Sequence, residues 1–311
     1  MLDKLFPTEI FEALKNNLKF NYLYEIRLRI DRPITINYSN KFYFLGIEGL
    51  TTDENNAIIC SKNLLESVIL KASNYSIYSV NEDIKKGFIT LNGGIRLGIC
   101  GEIVTENGYI KTMKDFSSIN LRFPHEVRNC SLNVLNYLID NGQVLNTLVI
   151  SSPCGGKTTF IRDICYQLGK RDFALNVLIL DERNEISASI KGVPTMDVGK
   201  FSDILVYSNK KIGFENGIRS MSPNLIVADE LGNREDIESI IYASNSGINL
   251  LASAHAKNIE ELKEKYLFND VLHKKIFKRI VVLSQKNGAG TIEGVFDENL
   301  VRLVWNTRYL G

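Results

Sequence analysis

The amino-terminal third of the chain carries helical and strand-like patterns of apolar residues in turn. Residues 6–18 repeat apolar positions at helical spacing, with Pro7 placed as in a first turn, so the pattern predicts one amphipathic helix. Residues 22–38 alternate apolar with charged positions, which predicts a half-buried strand, a turn at Asp31–Pro33 and a second strand. Residues 41–47 predict a further strand.

One helical stretch and several glycines shape the segment that follows. Residues 62–72 predict a helix, and residues 87–104 predict short strands separated by glycines. The stretch 131–140 predicts a helix that ends at Asn141-Gly142, a pair typical of a helix C-cap. We therefore place a domain boundary there, with an α+β domain over residues 1–143.

Beyond this boundary the pattern is that of an α/β domain. Short apolar strands at 146–152, 176–181 and 224–230 alternate with helical segments, which is the order of a doubly wound parallel sheet. The predicted fold class is α/β, with a parallel-sheet domain over residues 144–311 preceded by the smaller α+β domain.

Composition excludes several classes of protein. With 311 residues, 44% hydrophobic and 23% charged, the chain is an ordinary folded protein of two-domain size. A net charge of +1 supplies no global attraction to nucleic acid or anionic lipid, and no apolar run is long enough for a membrane span. The first residues lack a signal-peptide pattern, so we expect a cytoplasmic location. Five cysteines without a Cys-x-x-Cys pair disfavour disulfides and zinc.

The strongest chemical signal is SSPCGGKTT at 151–159, which lies between an apolar strand and a helical pattern. Gly155 and Gly156 would free backbone amides to wrap a phosphate at a helix N-terminus. Lys157 would reach the β and γ phosphates, and the Thr158 hydroxyl would bind Mg²⁺. Ser151 stands where the consensus has its first glycine. A glycine-rich turn without a ligand is the alternative, disfavoured because strand, loop and helix agree. The predicted nucleotide-binding residues are Pro153, Cys154, Gly155, Gly156, Lys157, Thr158 and Thr159.

Acidic residues end two of the predicted strands. Asp229 and Glu230 follow one of them, where Asp229 would hold Mg²⁺ through water, and Glu230 could polarise the attacking water or share the metal. Asp181 and Glu182 end another strand, although a solvated strand end is an alternative explanation for Glu182. Two acidic strand ends are thus expected to face one phosphate loop.

A scarce histidine and two arginines complete the candidate set. His255 ends the apolar run 249–256 and could hydrogen-bond the γ phosphate, although a structural histidine remains an alternative. Arg219 precedes the strand at 224–230 and Arg234 follows it. Either could stabilise transition-state charge, or could form a surface ion pair.

Four segments in this order resemble the RecA-like secretion ATPases of type II and type IV systems: SSPCGGKTTFIRD, LILDERNEI, GIRSMSPNLIVADELG and LLASAHA. Three further segments, EIRLRIDRP, GGIRLGICGE and SSINLRFPHEV, together with the loop that begins with Ser, resemble the stage III sporulation protein AA family of endospore-forming bacteria. This second resemblance covers nearly the whole chain.

The resemblance implies a RecA-like P-loop ATPase with ATP and Mg²⁺ as ligands, at work in the mother cell on the outer forespore membrane. Such ATPases form rings, usually hexamers, and this one would energise or assemble a channel with membrane proteins of a secretion-like complex. Glu182 would activate water, Asp229 and Glu230 would serve the metal end, and His255 matches the histidine box. Arg96 and Arg122 would contact the neighbouring subunit.

Two other classes of function remain open. A nucleic-acid translocase could use a RecA-like engine, and HKKIFKR at 273–279 is a small basic patch, although the balanced charge makes nucleic acid an unexpected partner. A nucleotide-binding assembly factor without turnover is the other alternative.

Overall fold

The computed structural model describes residues 2–39, 41–106, 108–124, 127–171, 175–206 and 209–303. Part of the SSINLRFPHEV segment (125–126) and the predicted end of the second domain (304–311) lie outside the described residues. The chain divides into two compact units, Met1–His125 and Glu126–Gly311.

The described residues of the first unit form a seven-stranded antiparallel sheet with the strand order β4-β3-β2-β1-β7-β6-β5. Its core contains Leu14, Ile26, Leu65 and Leu121. The strands are β1 (Leu23–Arg29), β2 (Thr35–Tyr38), β3 (Lys41–Gly46), β4 (Gly49–Thr51), β5 (Phe88–Leu91), β6 (Ile95–Glu106) and β7 (Tyr109–Arg122). The helices are α1 (Leu2–Leu5), α2 (Thr8–Asn17), α3 (Lys62–Ala72) and α4 (Asn81–Lys85).

Two sequence predictions for this unit need correction. The single opening helix is two helices, because Pro7 lies between them with a ψ of 153° and has no N–H to continue α1. The predicted short glycine-separated strands include one strand of twelve residues, β6. Gly101 lies inside it at a register shift, where an added Cβ would come within 2.6 Å of the Lys114 carbonyl oxygen. The glycine thus permits a bulge and does not end the strand.

In the described part of the second unit, seven strands form a sheet in the order β12-β11-β13-β14-β10-β15-β16, parallel except for the β15–β16 pair. The strands are β8 (Ile139–Asp140), β9 (Gln143–Val144), β10 (Thr147–Ser151), β11 (Val177–Asp181), β12 (Ser202–Val206), β13 (Leu225–Glu230), β14 (Asn249–His255), β15 (Arg279–Ser284) and β16 (Thr291–Asp297). The helices are α5 (Leu132–Leu138), α6 (Lys157–Gly169), α7 (Lys210–Met221), α8 (Arg234–Asn245), α9 (Ile259–Glu264) and α10 (Asn269–His273).

Both faces of this sheet are buried, which explains its near-continuous apolar strands. Val149 and Ile179 belong to one apolar cluster and Leu148 and Leu178 to another, so successive strand residues alternate between two cores. The parallel sheet predicted from residues 144 onward is therefore present.

The segment predicted to close the first domain packs with the second unit. α5 contributes Val134, Leu135 and Leu138 to the same apolar cluster as α6. Asn141 and Gly142 have φ values of 47° and 78° and form the two-residue turn between β8 and β9, so this pair closes a β-hairpin and does not cap a helix. Our boundary at 143–144 rested on that cap, whereas the compact units divide at 125–126.

Candidate functional site

The loop at 152–156 joins β10, near the middle of the parallel sheet, to the first turn of α6. Gly156 has a φ of 88°, and a Cβ on Gly155 would lie 2.3 Å from the Ser151 hydroxyl oxygen, so the loop requires glycine at both positions. The Ser151 side chain is buried and donates a hydrogen bond to the Ser152 carbonyl oxygen at 2.7 Å. A serine at the first loop position is thus accommodated within the turn.

Lys157 begins α6 and is 7% exposed. Burial lowers the pKa of its ammonium, and the carboxylates of Glu230 and Asp229 partly oppose that shift. Its Nζ lies 2.9 Å from Nδ1 of His255, at the end of the adjacent strand β14. The lysine predicted to reach phosphates is therefore held at the loop by a residue 98 positions away.

His255 connects Lys157 to Glu230. Its Nε2 lies 2.8 Å from Oε2 of Glu230, at the end of β13. Because an ammonium can only donate, Nδ1 accepts from Lys157, and the neutral ring then carries its proton on Nε2 and donates it to Glu230. Glu230 also lies 3.9 Å from the Arg183 guanidinium. Lys157, His255 and Glu230 thus form one continuous polar chain.

Asp229 lies beside this chain and is 5% exposed. The pKa of its carboxyl is raised to about 6, mainly by burial and also by the charges of Glu185 and Asp181, whereas Lys210 opposes these effects. A buried carboxylate among other acids is suited to a cation.

Glu182 occupies a different environment from Glu230. Its side chain is 42% exposed, and its Oε2 accepts a hydrogen bond from Lys210 Nζ at 2.7 Å. Lys210 is buried at the start of α7 and also lies 3.4 Å from Asp236. Sequence reasoning missed Lys210, because a lysine at a helix start carries no local signal of burial.

Asp181, at the same strand end, has a structural task. It is fully buried and accepts hydrogen bonds from the backbone of Glu185, Ile186 and Ser187 and from the Ser187 hydroxyl, at 2.7 to 3.1 Å. Asp181 therefore anchors the turn that follows β11, and Glu182 is the acid of this pair left at the surface.

The two arginines around β13 lie in different places. Arg219 is exposed in the last turn of α7, which leads back to the starts of the parallel strands and thus to the edge of the sheet opposite the loop. Arg234 begins α8, is 89% exposed and pairs with Glu238 at 3.4 Å. Arg234 thus forms a surface ion pair, which was the alternative to a role in stabilising transition-state charge.

Arg96 and Arg122 face each other across β6 and β7 in the first unit. Arg122 is largely exposed and its Nε lies 3.8 Å from Glu25, whereas the Arg96 guanidinium lies 5.0 Å from the Phe88 ring centroid. Two cations thus lie side by side on one face of this sheet.

The residues at the loop fit a nucleotide and Mg²⁺. A Cβ on either loop glycine would meet protein atoms within 3 Å, so both positions require glycine, which adds no side-chain bulk to a loop whose amides could bind an anion. The hydroxyl of Ser253 is fully buried without a hydrogen-bond partner in the described part of the chain, in register with Glu230 on the neighbouring strand. No group of three or more His, Cys, Asp or Glu side chains forms a metal cage among those residues. Mg²⁺ at phosphate sites needs only one or two protein oxygens.

Solved structures share this architecture. The pilus retraction motor PilT with bound ADP gives a TM-score of 0.57 at 12% identity, covering 96% of this chain and 82% of that one. The ATPase DotB of Legionella pneumophila gives 0.55 at 13% identity, with 84% and 72% covered. The chain therefore has the RecA-like fold of secretion ATPases, as the sequence predicted.

Sequence similarity gives a more specific assignment than the fold does. The family described as "Sporulation stage III, protein AA" matches residues 2–303. Stage III sporulation protein AA of Bacillus subtilis strain 168 is 32% identical over 297 residues, which are 93% of each chain. This protein belongs to that sporulation family, and the predicted resemblance is confirmed.

Two other features bear on the predictions. Within the residues that the structure covers, no helix combines the length and apolar character that a bilayer crossing requires. All five cysteines are free thiols. Cys60 and Cys165 are buried, whereas Cys100 and Cys154 are exposed.

Proposed function

We propose that this protein is a Mg²⁺-dependent ATPase that works as a ring-shaped oligomer, in the manner of secretion ATPases. Its task would be to energise or assemble a channel from mother cell to forespore, at the cytoplasmic side of the outer forespore membrane and with channel proteins as partners. The observation that carries the proposal is the buried Lys157 at a glycine loop, connected through His255 to Glu230.

ATP would be held by its phosphates. The loop amides and the N-terminus of the thirteen-residue helix α6 attract negative charge, and Lys157 adds a full positive charge from within the loop. A phosphate that draws the ammonium of Lys157 away would leave Nδ1 of His255 without its donor. His255 would then report nucleotide binding to Glu230, the acid on its other nitrogen.

Mg²⁺ would be held by the Thr158 hydroxyl, in the first turn of α6, and by Asp229, directly or through water. When bound, it would neutralise phosphate charge and so favour attack by water. The cation would also favour the ionised form of Asp229, whose pKa burial raises to about 6.

Glu182 is our candidate for the water-activating base, and Glu230 for the metal end of the site. The two acids have different partners, because Lys210 contacts Glu182 and His255 contacts Glu230. Separate partners are consistent with separate tasks. Arg219 is left without a role within one subunit, since it lies at the opposite edge of the sheet.

A neighbouring subunit would complete the site. The resemblance to secretion ATPases implies a ring, in which Arg96 and Arg122 are the candidate residues from the neighbouring subunit. Both arginines lie on one sheet face, and Arg122 is largely exposed. A cation supplied across a subunit boundary would stabilise charge on the transferred phosphoryl group.

The nucleic-acid translocase is a weaker candidate. In the basic segment 273–279, Ile276 and Phe277 are buried, and Lys278 and Arg279 lie within 4.0 Å of Glu298. Two apolar residues thus divide the segment, and two of its basic residues lie near a local acid. DNA stimulation of turnover that falls steeply with salt would favour the translocase instead.

Replacement of Lys157 by alanine tests the proposal. We expect Lys157→Ala to lower ATP turnover at least about 100-fold and to weaken nucleotide binding, because it removes the cation aimed at the phosphates from within the loop. Turnover and ADP affinity would be measured beside a thermal unfolding curve. Lys211→Ala, which removes an exposed lysine of α7, is the matched control. Unchanged turnover in cooperatively folded Lys157→Ala protein would contradict the assignment. Nucleotide binding by the wild type without any turnover would favour the assembly factor.

A further inference from the structure

The turn between β15 and β16, residues 285–290, lies directly against the phosphate loop. The Gln285 side-chain nitrogen Nε2 donates a hydrogen bond to the Pro153 carbonyl oxygen at 3.0 Å. The Gly290 backbone N–H donates to the Gly155 carbonyl oxygen, also at 3.0 Å. Two carbonyl groups of the loop are thus bound by one turn that is more than a hundred residues away in sequence.

These contacts orient the amides that a phosphate would use. In a trans peptide, the carbonyl and the following N–H point in opposite directions. Binding of the Gly155 carbonyl by the turn therefore directs the Gly156 N–H away from the turn. In the same way, binding of the Pro153 carbonyl directs the Cys154 N–H away from the Gln285 side chain. The turn thus sets the planes of two peptide groups in the loop.

The fit between turn and loop is close and the turn is internally ordered. A Cβ on Gly156 would lie 2.8 Å from the Gly290 nitrogen, so the two backbones touch. Within the turn, the Gly288 N–H donates to the Gln285 carbonyl oxygen, and the Thr291 hydroxyl donates to the Gly288 carbonyl oxygen. The loop is thus held against an ordered neighbour.

We infer that the 285–290 turn is a positioning element of the nucleotide site and that Gln285 is its positioning side chain. The turn holds the loop amides in their anion-binding orientation before the nucleotide arrives, which lowers the ordering cost of binding. The consequence for nucleotide affinity rests on the proposed function, whereas the effect on the loop does not.

Three variants test the inference. Gln285→Met keeps the side-chain length but removes the donor, and Gln285→Arg keeps an N–H donor at similar reach. Asn287→Ala, in the same turn, is the matched control. Amide hydrogen exchange of the loop peptide 152–157 is measured without nucleotide, and ADP affinity is measured separately. Thermal unfolding confirms that each variant is folded.

We expect Gln285→Met to speed loop exchange about threefold or more and to weaken ADP binding about three- to tenfold, as suits the loss of one hydrogen bond. Gln285→Arg should exchange at the wild-type rate, and Asn287→Ala should change neither quantity. Unchanged exchange in Gln285→Met, or equally fast exchange in Gln285→Arg, would overturn the positioning role. Faster exchange with unchanged ADP affinity would overturn its link to the nucleotide. If exchange responds as expected but even the wild type binds no ADP, the positioning of the loop stands and the proposed function fails.

Discussion

At the scale of single residues, the candidate site depends on how buried charges are partnered. Lys157 is nearly inaccessible, and its neighbours are His255 and, more distantly, two carboxylates. Removing the His255 acceptor would leave the buried ammonium of Lys157 without that hydrogen bond, which costs more than the bond itself contributes. Single substitutions at this site should therefore be read together with a measurement of folding.

Neutralising the two candidate acids separates their tasks. We expect Glu182→Gln to retain ATP affinity while losing turnover about 100-fold, since a base can be neutralised without loss of a phosphate contact. Glu230→Gln should instead shift the Mg²⁺ concentration needed for half-maximal turnover. The measurements are ATP affinity and turnover across a Mg²⁺ titration. If Glu230→Gln traps ATP and Glu182→Gln hydrolyses normally, the two roles are reversed.

Asp229 links the pH dependence of stability to the site. Its pKa in the folded protein is about 6, above the ordinary 3.8, so the folded state holds this proton more tightly than the unfolded state. The stability that this group contributes is full below about pH 4 and is lost as the pH rises through 6.

We therefore expect Asp229→Asn to be more stable than the wild type at pH 8, by up to about 3 kcal/mol, and nearly equal to it at pH 4. Denaturant unfolding without Mg²⁺ and nucleotide, from pH 4 to 8, measures this difference. Asp203→Asn, which changes an exposed aspartate of β12, serves as the comparison. Equal stability of wild type and Asp229→Asn at pH 8 would show that burial does not penalise the Asp229 charge.

At the scale of secondary-structure elements, one buried carboxylate attaches α5 to the rest of the second unit. Asp163, on α6, accepts hydrogen bonds from the Asn129 and Ser131 backbone N–H groups and from the Ser131 hydroxyl, at 2.7 to 2.9 Å. The segment before α5 is therefore fixed to the helix that follows the phosphate loop.

Asp163→Asn should lower the free energy of unfolding by about 2 kcal/mol, because an amide nitrogen would face N–H donors and leave one of them buried without an acceptor. Equilibrium denaturation measures the loss. Glu238→Gln, in an exposed pair with Arg234, should change stability by no more than about 0.5 kcal/mol. A loss for Asp163→Asn as small as that of the control would mean that α5 is held by apolar packing alone.

At the scale of the whole molecule, the prediction concerns cooperation between subunits. Arg96→Ala and Arg122→Ala should each be nearly inactive alone, as should Lys157→Ala, if the arginines act on the neighbouring site. In an equal mixture with Lys157→Ala, about a quarter of randomly assembled ring interfaces pair an intact loop with an intact arginine. Turnover per subunit in the mixture should then exceed that of either variant. No rescue, with turnover independent of protein concentration, would show that each subunit is self-sufficient.

Local signals in the sequence were sufficient to predict much of the structure of this molecule. The strand–loop–helix around Gly155, Gly156 and Lys157 depends on neighbours within about ten residues, and the structure places the loop between β10 and α6 as predicted. The helix at Lys62–Ala72 agrees with its prediction, because its apolar spacing and Ser61 N-cap are also local. Acids at the ends of parallel strands meet at one edge for topological reasons alone.

Tertiary structure decided the partners of these residues. That Lys157 contacts His255, that Glu182 contacts Lys210 and that Gln285 contacts Pro153 depends on which strands lie side by side, and these contacts span 28 to 132 positions. The Asn141-Gly142 pair shows the same limit, because its left-handed backbone suits a helix end or a hairpin equally well. The sequence by itself thus determined the local conformations and the kinds of chemistry available, whereas long-range packing decided which charged groups are paired, since pairing depends on distances that no local pattern encodes.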